Sequence, residues 1–146
     1  MIGSLFFEVE DVLASTASLR RAALLRTLAD EGIPTPGSSD LRDAAGEGTR
    51  DSVRRAVRHH AIASDEVALT LLALRADRHF ASLIQSGVSL APGARELIEH
   101  ARSTCRLAIV TSFDRATVSA VLALAELDGA FEVIVAAEDV ASPKPA

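Results

Sequence analysis

The 146-residue sequence predicts an α/β protein, a Rossmann-like parallel sheet with an inserted α-helical cap. Three short apolar runs, at 2–9, 106–111 and 131–137, are typical of strands buried on both faces of a parallel sheet. An amphipathic segment, 112–124, separates the second run from the third. Strand, helix and strand at this spacing form a right-handed crossover unit, and such a unit implies parallel strands.

The first run turns polar and leads into a helix. Ser15 or Thr16 is suited to cap this helix, which continues through LRRAALLRTLADEG, and Gly32 supplies the stop. The segment IPTPGSS that follows is predicted to be a loop because it concentrates Pro, Gly and Ser.

The segment from 40 to 86 is predicted to be helical throughout. Val53 and Val57 recur at a helical spacing, and nothing in the segment alternates like a strand. Gly87 closes this block, and Pro92 opens a further short helix, PGARELIEHAR. The block is too long for a simple crossover, so we expect part of it to form a cap over the ligand-binding edge of the sheet.

Composition and charge restrict the partners. The formal net charge is −5 and the pI about 5.3, which argues against nucleic acid or a membrane surface as a partner. Cys105 is the only cysteine, so an internal disulfide and a cysteine-built zinc site are excluded. The opening residues resemble neither a signal peptide nor a membrane span, and we therefore expect a cytoplasmic protein.

Ligands of open parallel sheets bind beyond the carboxyl ends of the strands. Polar side chains follow each predicted strand at this edge. They are Glu8 and Glu10 after the first strand, Thr111 and Ser112 after the second, and Glu138, Asp139 and Lys144 after the third.

Other polar groups invite a functional interpretation but favour a solvated surface. His59 and His60 are adjacent, and adjacent helical residues point about 100° apart, so they do not converge on a metal. Arg50, Arg54, Arg55 and Arg58 form a basic helical stripe, which either attracts an anionic substrate or is an exposed face.

These motifs resemble the haloacid dehalogenase superfamily of hydrolases, in the phosphoglycolate phosphatase and β-phosphoglucomutase-like branch with a helical cap. FFEVEDVLAST resembles the first motif of the family, LAIVTSFDRATVSAVL the second, and EDVASPKPA the third. The resemblance implies a core domain formed by 1–14 and 87–146 and a helical cap formed by 15–86.

The resemblance also implies a phosphohydrolase that forms an acyl-phosphate intermediate on a small phosphorylated metabolite. Glu8 takes the position of the nucleophile and Glu10 that of the acid/base. Thr111 and Lys144 take the positions that hold the phosphoryl oxygens, while Mg²⁺ binds Glu8 and the carbonyl of Glu10. Ser112, Arg115 and Gly46 are expected to bind substrate.

The sequence departs from the family pattern in the first motif. Glu8 and Glu10 stand where the family has Asp, and Asp11 stands where it usually has Gly. The family's acidic fourth motif does not follow the third, so we expect the chain to be a truncated product, one half of a split enzyme or a degenerate copy.

Two further hypotheses follow. A catalytically silenced binding or assembly module is the alternative to an active hydrolase. We also expect the unpaired edge of the first strand to favour self-association or pairing with a complementing chain.

Overall fold

The computed structural model describes residues 3–41 and 47–141 of the chain. Helices and strands alternate in the order that the sequence predicts for a parallel sheet with an inserted helical block. The strands are β1 (Ser4–Phe7), β2 (Arg106–Val110) and β3 (Val133–Val135); the helices are α1 (Ala17–Asp30), α2 (Thr49–Ala56), α3 (Glu66–Ser86), α4 (Ala94–Ala101) and α5 (Arg115–Leu124). Two short 3₁₀ turns lie at Ala61–Ser64 and Ala137–Asp139.

The three strands form one parallel sheet in the order β1-β2-β3. Phe7 of β1 lies beside Ile109 of β2, and Val110 of β2 lies beside Val135 of β3. Because all three strands run in the same direction, their carboxyl ends meet at one edge of the sheet. The predicted α/β fold class with a Rossmann-like parallel sheet is confirmed.

The described chain divides into two compact units. Residues 3–16 and 84–141 form the first unit, which contains the sheet, and residues 17–41 and 47–83 form the second, which is helical. The interpretation of the helical segment 15–86 as a cap and of 1–14 with 87–146 as a core stays a prediction. Within the described ranges, no helix has both the length and the apolar character needed to span a membrane.

The core of the first unit is built around β2. Ile109 is fully buried there, and Val118 and Val121 of α5 are buried as the amphipathic pattern predicts. Phe7 and Phe131 pack edge to face with ring centroids 5.8 Å apart, a favoured aromatic geometry. This contact joins the end of β1 to the segment that leads into β3.

The second unit has a separate aliphatic core, which matches the scarcity of aromatic residues. Its core is built mainly from small and branched aliphatic side chains, and the Phe80 ring of α3 is also buried in this unit. The buried members are Leu24, Leu28, Leu41, Val53, Ala56, Val57, Leu69, Leu72, Ala73 and Ala76.

Element ends differ from the sequence-based expectations. The strands are shorter than the apolar runs, and the segment 40–86 is not helical throughout, because turns interrupt it at 57–60 and a 3₁₀ turn follows. Helix α5 begins at Arg115 rather than at residue 112, since the Asp114 side chain caps it by accepting the Thr117 backbone N–H at 2.8 Å.

Candidate active site

Two carboxylates follow β1 at the carboxyl edge of the sheet. Glu8 and Glu10 are half-buried, whereas Val9 between them is fully buried. Both glutamates therefore flank a buried side chain in the turn that follows β1. The Glu8 carboxylate turns back on its own main chain and accepts the Val9 N–H at 2.9 Å.

Asp11 shapes the turn that follows. Its φ is +56°, in the left-handed region that favours Gly, and Asp is one of the few other residues that tolerate this region. The Asp11 carboxylate accepts the Thr16 backbone N–H at 3.2 Å, and the Asp11 N–H donates to the Ala14 carbonyl at 2.8 Å. Asp11 therefore adopts a backbone conformation that favours glycine while adding a side-chain bond to the residue before α1.

Thr111 lies at the same edge, directly after β2. Its backbone N–H donates to the Val135 carbonyl at 3.0 Å, which extends the ladder with β3 by one residue. The side chain is 4% exposed, and its hydroxyl oxygen accepts the Phe113 N–H at 3.2 Å. Since the oxygen acts here as acceptor, the hydroxyl hydrogen remains for donation to a second group.

Ser112 and Arg115 lie in and just beyond the same turn. The Ser112 side chain is exposed. The Arg115 guanidinium contacts the Asp139 carboxylate and donates to the Ile134 carbonyl at 3.1 Å, while its backbone N–H donates to Glu138 at 3.0 Å. These bonds tie the start of α5 to the residues after β3, a network that sequence reasoning missed.

The structure thus brings Glu8, Glu10, Thr111 and Ser112 to one edge of one sheet, by topology and register. Gly46 and Lys144, which the sequence analysis assigned to substrate binding and to phosphoryl binding, lie outside the described residues. Their roles, and those of the other predicted site residues, stay predictions. Among residues 3–41 and 47–141, no three His, Cys, Asp or Glu side chains are grouped to hold a metal ion.

The arginines of the predicted basic stripe each face a carboxylate. This pairing neutralises the stripe and supports the interpretation of an exposed structural face rather than a substrate-attracting one. The pairs are Arg50 and Arg54 with Glu66, Arg55 with Glu47, and Arg58 with Asp40.

A cavity lies within the second unit, at a place that the sequence analysis did not single out. Its volume is about 340 Å³ including the open mouth. The Arg20 guanidinium lies over the Phe80 ring at 5.2 Å from the centroid, and Thr49 donates to Asp77 at 2.7 Å on the same lining.

Parallel strands that are followed by paired acidic residues and a buried threonine define an α/β protein with a polar strand edge. Comparison with known proteins identifies its family. The family model of the haloacid dehalogenase-like hydrolases matches residues 5–146. The chain belongs to this family, and the resemblance inferred from its motifs is confirmed.

Individual relatives agree with this assignment. The chain is 33% identical over 150 residues to Protein CbbY of Rhodobacter capsulatus, covering 98% of the chain and 66% of the relative. A crystal structure of CbbY from Rhodobacter sphaeroides in complex with xylulose-(1,5)bisphosphate superposes with a TM-score of 0.78 at 27% identity, over 100% of the chain and 68% of that structure.

A putative β-phosphoglucomutase from Thermotoga maritima superposes with a TM-score of 0.71 at 25% identity. The match covers 99% of the present chain and 65% of the Thermotoga maritima structure. The chain therefore spans about two thirds of the length of these relatives.

Proposed function

We propose that the protein is a phosphohydrolase that cleaves a phosphomonoester of a small metabolite through an acyl-phosphate intermediate. Membership of the hydrolase family supports the proposal. The observation that carries it is the arrangement of two half-buried carboxylates, Glu8 and Glu10, at the sheet edge where the buried Thr111 also lies.

The chemistry assigns one role to each carboxylate. The Glu8 carboxylate attacks phosphorus, a P–O bond forms to its oxygen, and the bond to the ester oxygen breaks. Glu10 donates a proton to the departing alkoxide, so that the product leaves as an alcohol. Glu10 then takes a proton from water, whose oxygen attacks the acyl phosphate, releasing inorganic phosphate and restoring Glu8.

The remaining predicted residues bind the phosphoryl group and the substrate. The Thr111 hydroxyl, which accepts from Phe113, donates its own hydrogen to a phosphoryl oxygen. Lys144 offsets negative charge on the same group, and Ser112, Arg115 and Gly46 contact the rest of the substrate. Arg115 would have to share its guanidinium between the substrate and Asp139.

A divalent cation fits part of the donor set present here. Mg²⁺ prefers hard oxygen ligands and is often held by one or two carboxylates together with water and substrate phosphate. The Glu8 carboxylate and the Glu10 carbonyl are the ligands that we propose. Bound there, Mg²⁺ would offset the negative charge of the phosphate and the carboxylates.

The proposed substrate is a small phosphorylated metabolite. The CbbY relative is described in complex with xylulose-(1,5)bisphosphate, a phosphorylated sugar. We extend only the chemical class to this chain, since a sugar phosphate presents the phosphomonoester that the two carboxylates would cleave.

The first experiment tests the nucleophile. The purified chain is assayed with an aryl phosphate and Mg²⁺, alongside Glu8→Ala and a matched control, Glu99→Ala, which removes an exposed carboxylate on α4. We expect Glu8→Ala to abolish hydrolysis and Glu99→Ala to leave it unchanged. Hydrolysis that survives Glu8→Ala would exclude Glu8 from the mechanism.

The second experiment tests the length of the carboxylate side chains. A glutamate reaches about 1 Å further than an aspartate, and a misplacement of that size costs on the order of a hundredfold in rate. We expect Glu8→Asp combined with Glu10→Asp to raise turnover, because the shorter side chain at position 8 cannot fold back on Val9 in the same way.

If the double variant and the parent are both inactive, a supplied C-terminal segment carrying the family's acidic fourth motif separates the remaining hypotheses. Activity with that segment would show that turnover requires a complementing segment. Continued inactivity would favour a silenced binding or assembly module over the hydrolase that we propose.

A further inference from the structure

Helix α3 (Glu66–Ser86) is apolar on two sides, and only one of them is buried. One side contributes Leu69, Leu72, Ala76 and Phe80 to the interior. The other side exposes large aliphatic side chains: Val67 is 71% exposed, Leu71 56% and Leu74 51%. An amphipathic helix that packs on one core normally carries polar residues on the side facing away.

The exposed residues follow the spacing of a helix–helix seam. Val67, Leu71, Leu74 and Arg78 are separated by four, three and four residues, which places them in one line along the helix. This alternation of three and four is the pattern by which two helices pack side by side. We call these four residues the α3 seam.

The ends of the α3 seam carry opposite charges. Arg78 closes it at the carboxyl end and is exposed. The carboxylate at the amino-terminal end is the exposed Asp65, which caps the helix by accepting the N–H groups of Val67 and Ala68, each at 3.0 Å; Glu66 beside it is paired with Arg50 and Arg54. The seam is therefore apolar in its centre, negative at one end and positive at the other.

Such a surface is complementary to itself when reversed. We infer that two copies of this chain associate through the α3 seam, with the two helices antiparallel about a twofold axis. Leu71 of each copy then packs against Leu74 of the other, and Arg78 lies beside Val67 and Asp65 of the other copy. A parallel pair would instead place the two Arg78 guanidinium groups against each other.

The helix dipoles favour the same orientation. Antiparallel helices place each positive amino terminus beside a negative carboxyl terminus. Three apolar residues per copy form a small interface, so we expect the dimer to be weak and to dissociate on dilution. This inference does not depend on the proposed hydrolase activity.

Sedimentation velocity over a range of protein concentrations measures the association. We expect Leu71→Glu to weaken dimerisation by about tenfold or more, because a charge replaces a buried aliphatic group at the centre of the seam. Glu is a good helix former, so α3 itself should persist, which circular dichroism checks. The matched control is Leu97→Glu on α4, where the leucine is also 51% exposed.

A substitution of the charged end adds a second readout. Arg78→Glu places a carboxylate beside Asp65 of the other copy, and we expect it to weaken the dimer. A parent that remains monomeric at all concentrations would overturn the inference, as would equal effects of Leu71→Glu and Leu97→Glu. Loss of association on Phe6→Glu in β1, but not on Leu71→Glu, would assign the contact to the strand edge and also overturn it.

Cross-linking determines the orientation. In a Cys105→Ser background, Val67→Cys combined with Arg78→Cys should be joined between copies by a short thiol cross-linker. In the antiparallel pair each single cysteine lies about 16 Å along the axis from its own equivalent, so neither single variant should cross-link. Efficient cross-linking of Arg78→Cys alone would indicate parallel helices and contradict the arrangement.

Discussion

Asp11 offers a test that separates backbone strain from side-chain hydrogen bonding. Placing an ordinary L residue in the left-handed region raises the free energy of the folded state by about 1–2 kcal/mol. Gly has almost none of this strain, and Asn and Asp reduce it through local hydrogen bonds of their side chains. The bond from the Thr16 N–H to the Asp11 carboxylate, at 3.2 Å, contributes about 0.5–1.5 kcal/mol. The two terms act in opposite directions when Asp11 is replaced by Gly.

The expected order of stability follows from these terms. Asp11→Ala keeps the strained φ of +56° and loses the bond, so unfolding should become easier by about 1–3 kcal/mol. Asp11→Gly loses the bond but relieves the strain, so the change should stay within about 1 kcal/mol. Asp11→Asn retains both features, and we expect a change within about 0.5 kcal/mol.

Urea unfolding followed by far-ultraviolet circular dichroism measures these differences, because the chain has no Trp and no Tyr for fluorescence. The protein concentration is held constant, since association would shift the apparent stability. If Asp11→Ala proves as stable as the parent while Asp11→Gly is clearly weaker, backbone strain at residue 11 plays no part and the reasoning is refuted.

Three further changes test the sheet and its polar edge. Ile109→Ala should cost about 2–5 kcal/mol in the same unfolding assay, because it opens a cavity in the central strand; the exposed Val133→Ala on β3 is the control and should cost much less. Asp114→Ala should lower stability by about 1 kcal/mol through loss of the α5 cap, and Asp114→Asn should restore most of it, as helix content and urea midpoints would record. Thr111→Val should lower the free energy of unfolding by about 1–3 kcal/mol, because it removes the hydroxyl that accepts the Phe113 N–H. Thr111→Ser should preserve both this bond and any phosphatase activity. Equal stability of the two variants would argue against the bond.

The local sequence pattern was sufficient to predict the strands of the sheet and the end of α1. The apolar runs at 2–9, 106–111 and 131–137 each contain a strand, because a strand buried on both faces needs apolar side chains at successive positions. Gly32 follows α1 with a φ of +67°, as a helix stop requires. The placement of Glu8 and Thr111 at one edge followed from parallel topology.

Contacts between residues far apart along the chain could not be predicted from local sequence pattern. Arg115 bonds to Asp139, which is 24 residues away along the chain, and only the crossover from β2 to β3 brings the two together. The left-handed conformation of Asp11 is accompanied by hydrogen bonds that close the turn toward Thr16. From the sequence alone, Asp11 was only a departure from the glycine that the family has at this position.

The sequence by itself determined the α/β class, the order of the strands along the chain and the acidic residues at the sheet edge, because these depend on local side-chain periodicity and on the direction of parallel strands. Tertiary structure alone decided which apolar side of α3 is buried. Both sides carry aliphatic residues at helical spacing, and the choice between them depends on the shape and volume of the neighbouring helices, which no local pattern encodes.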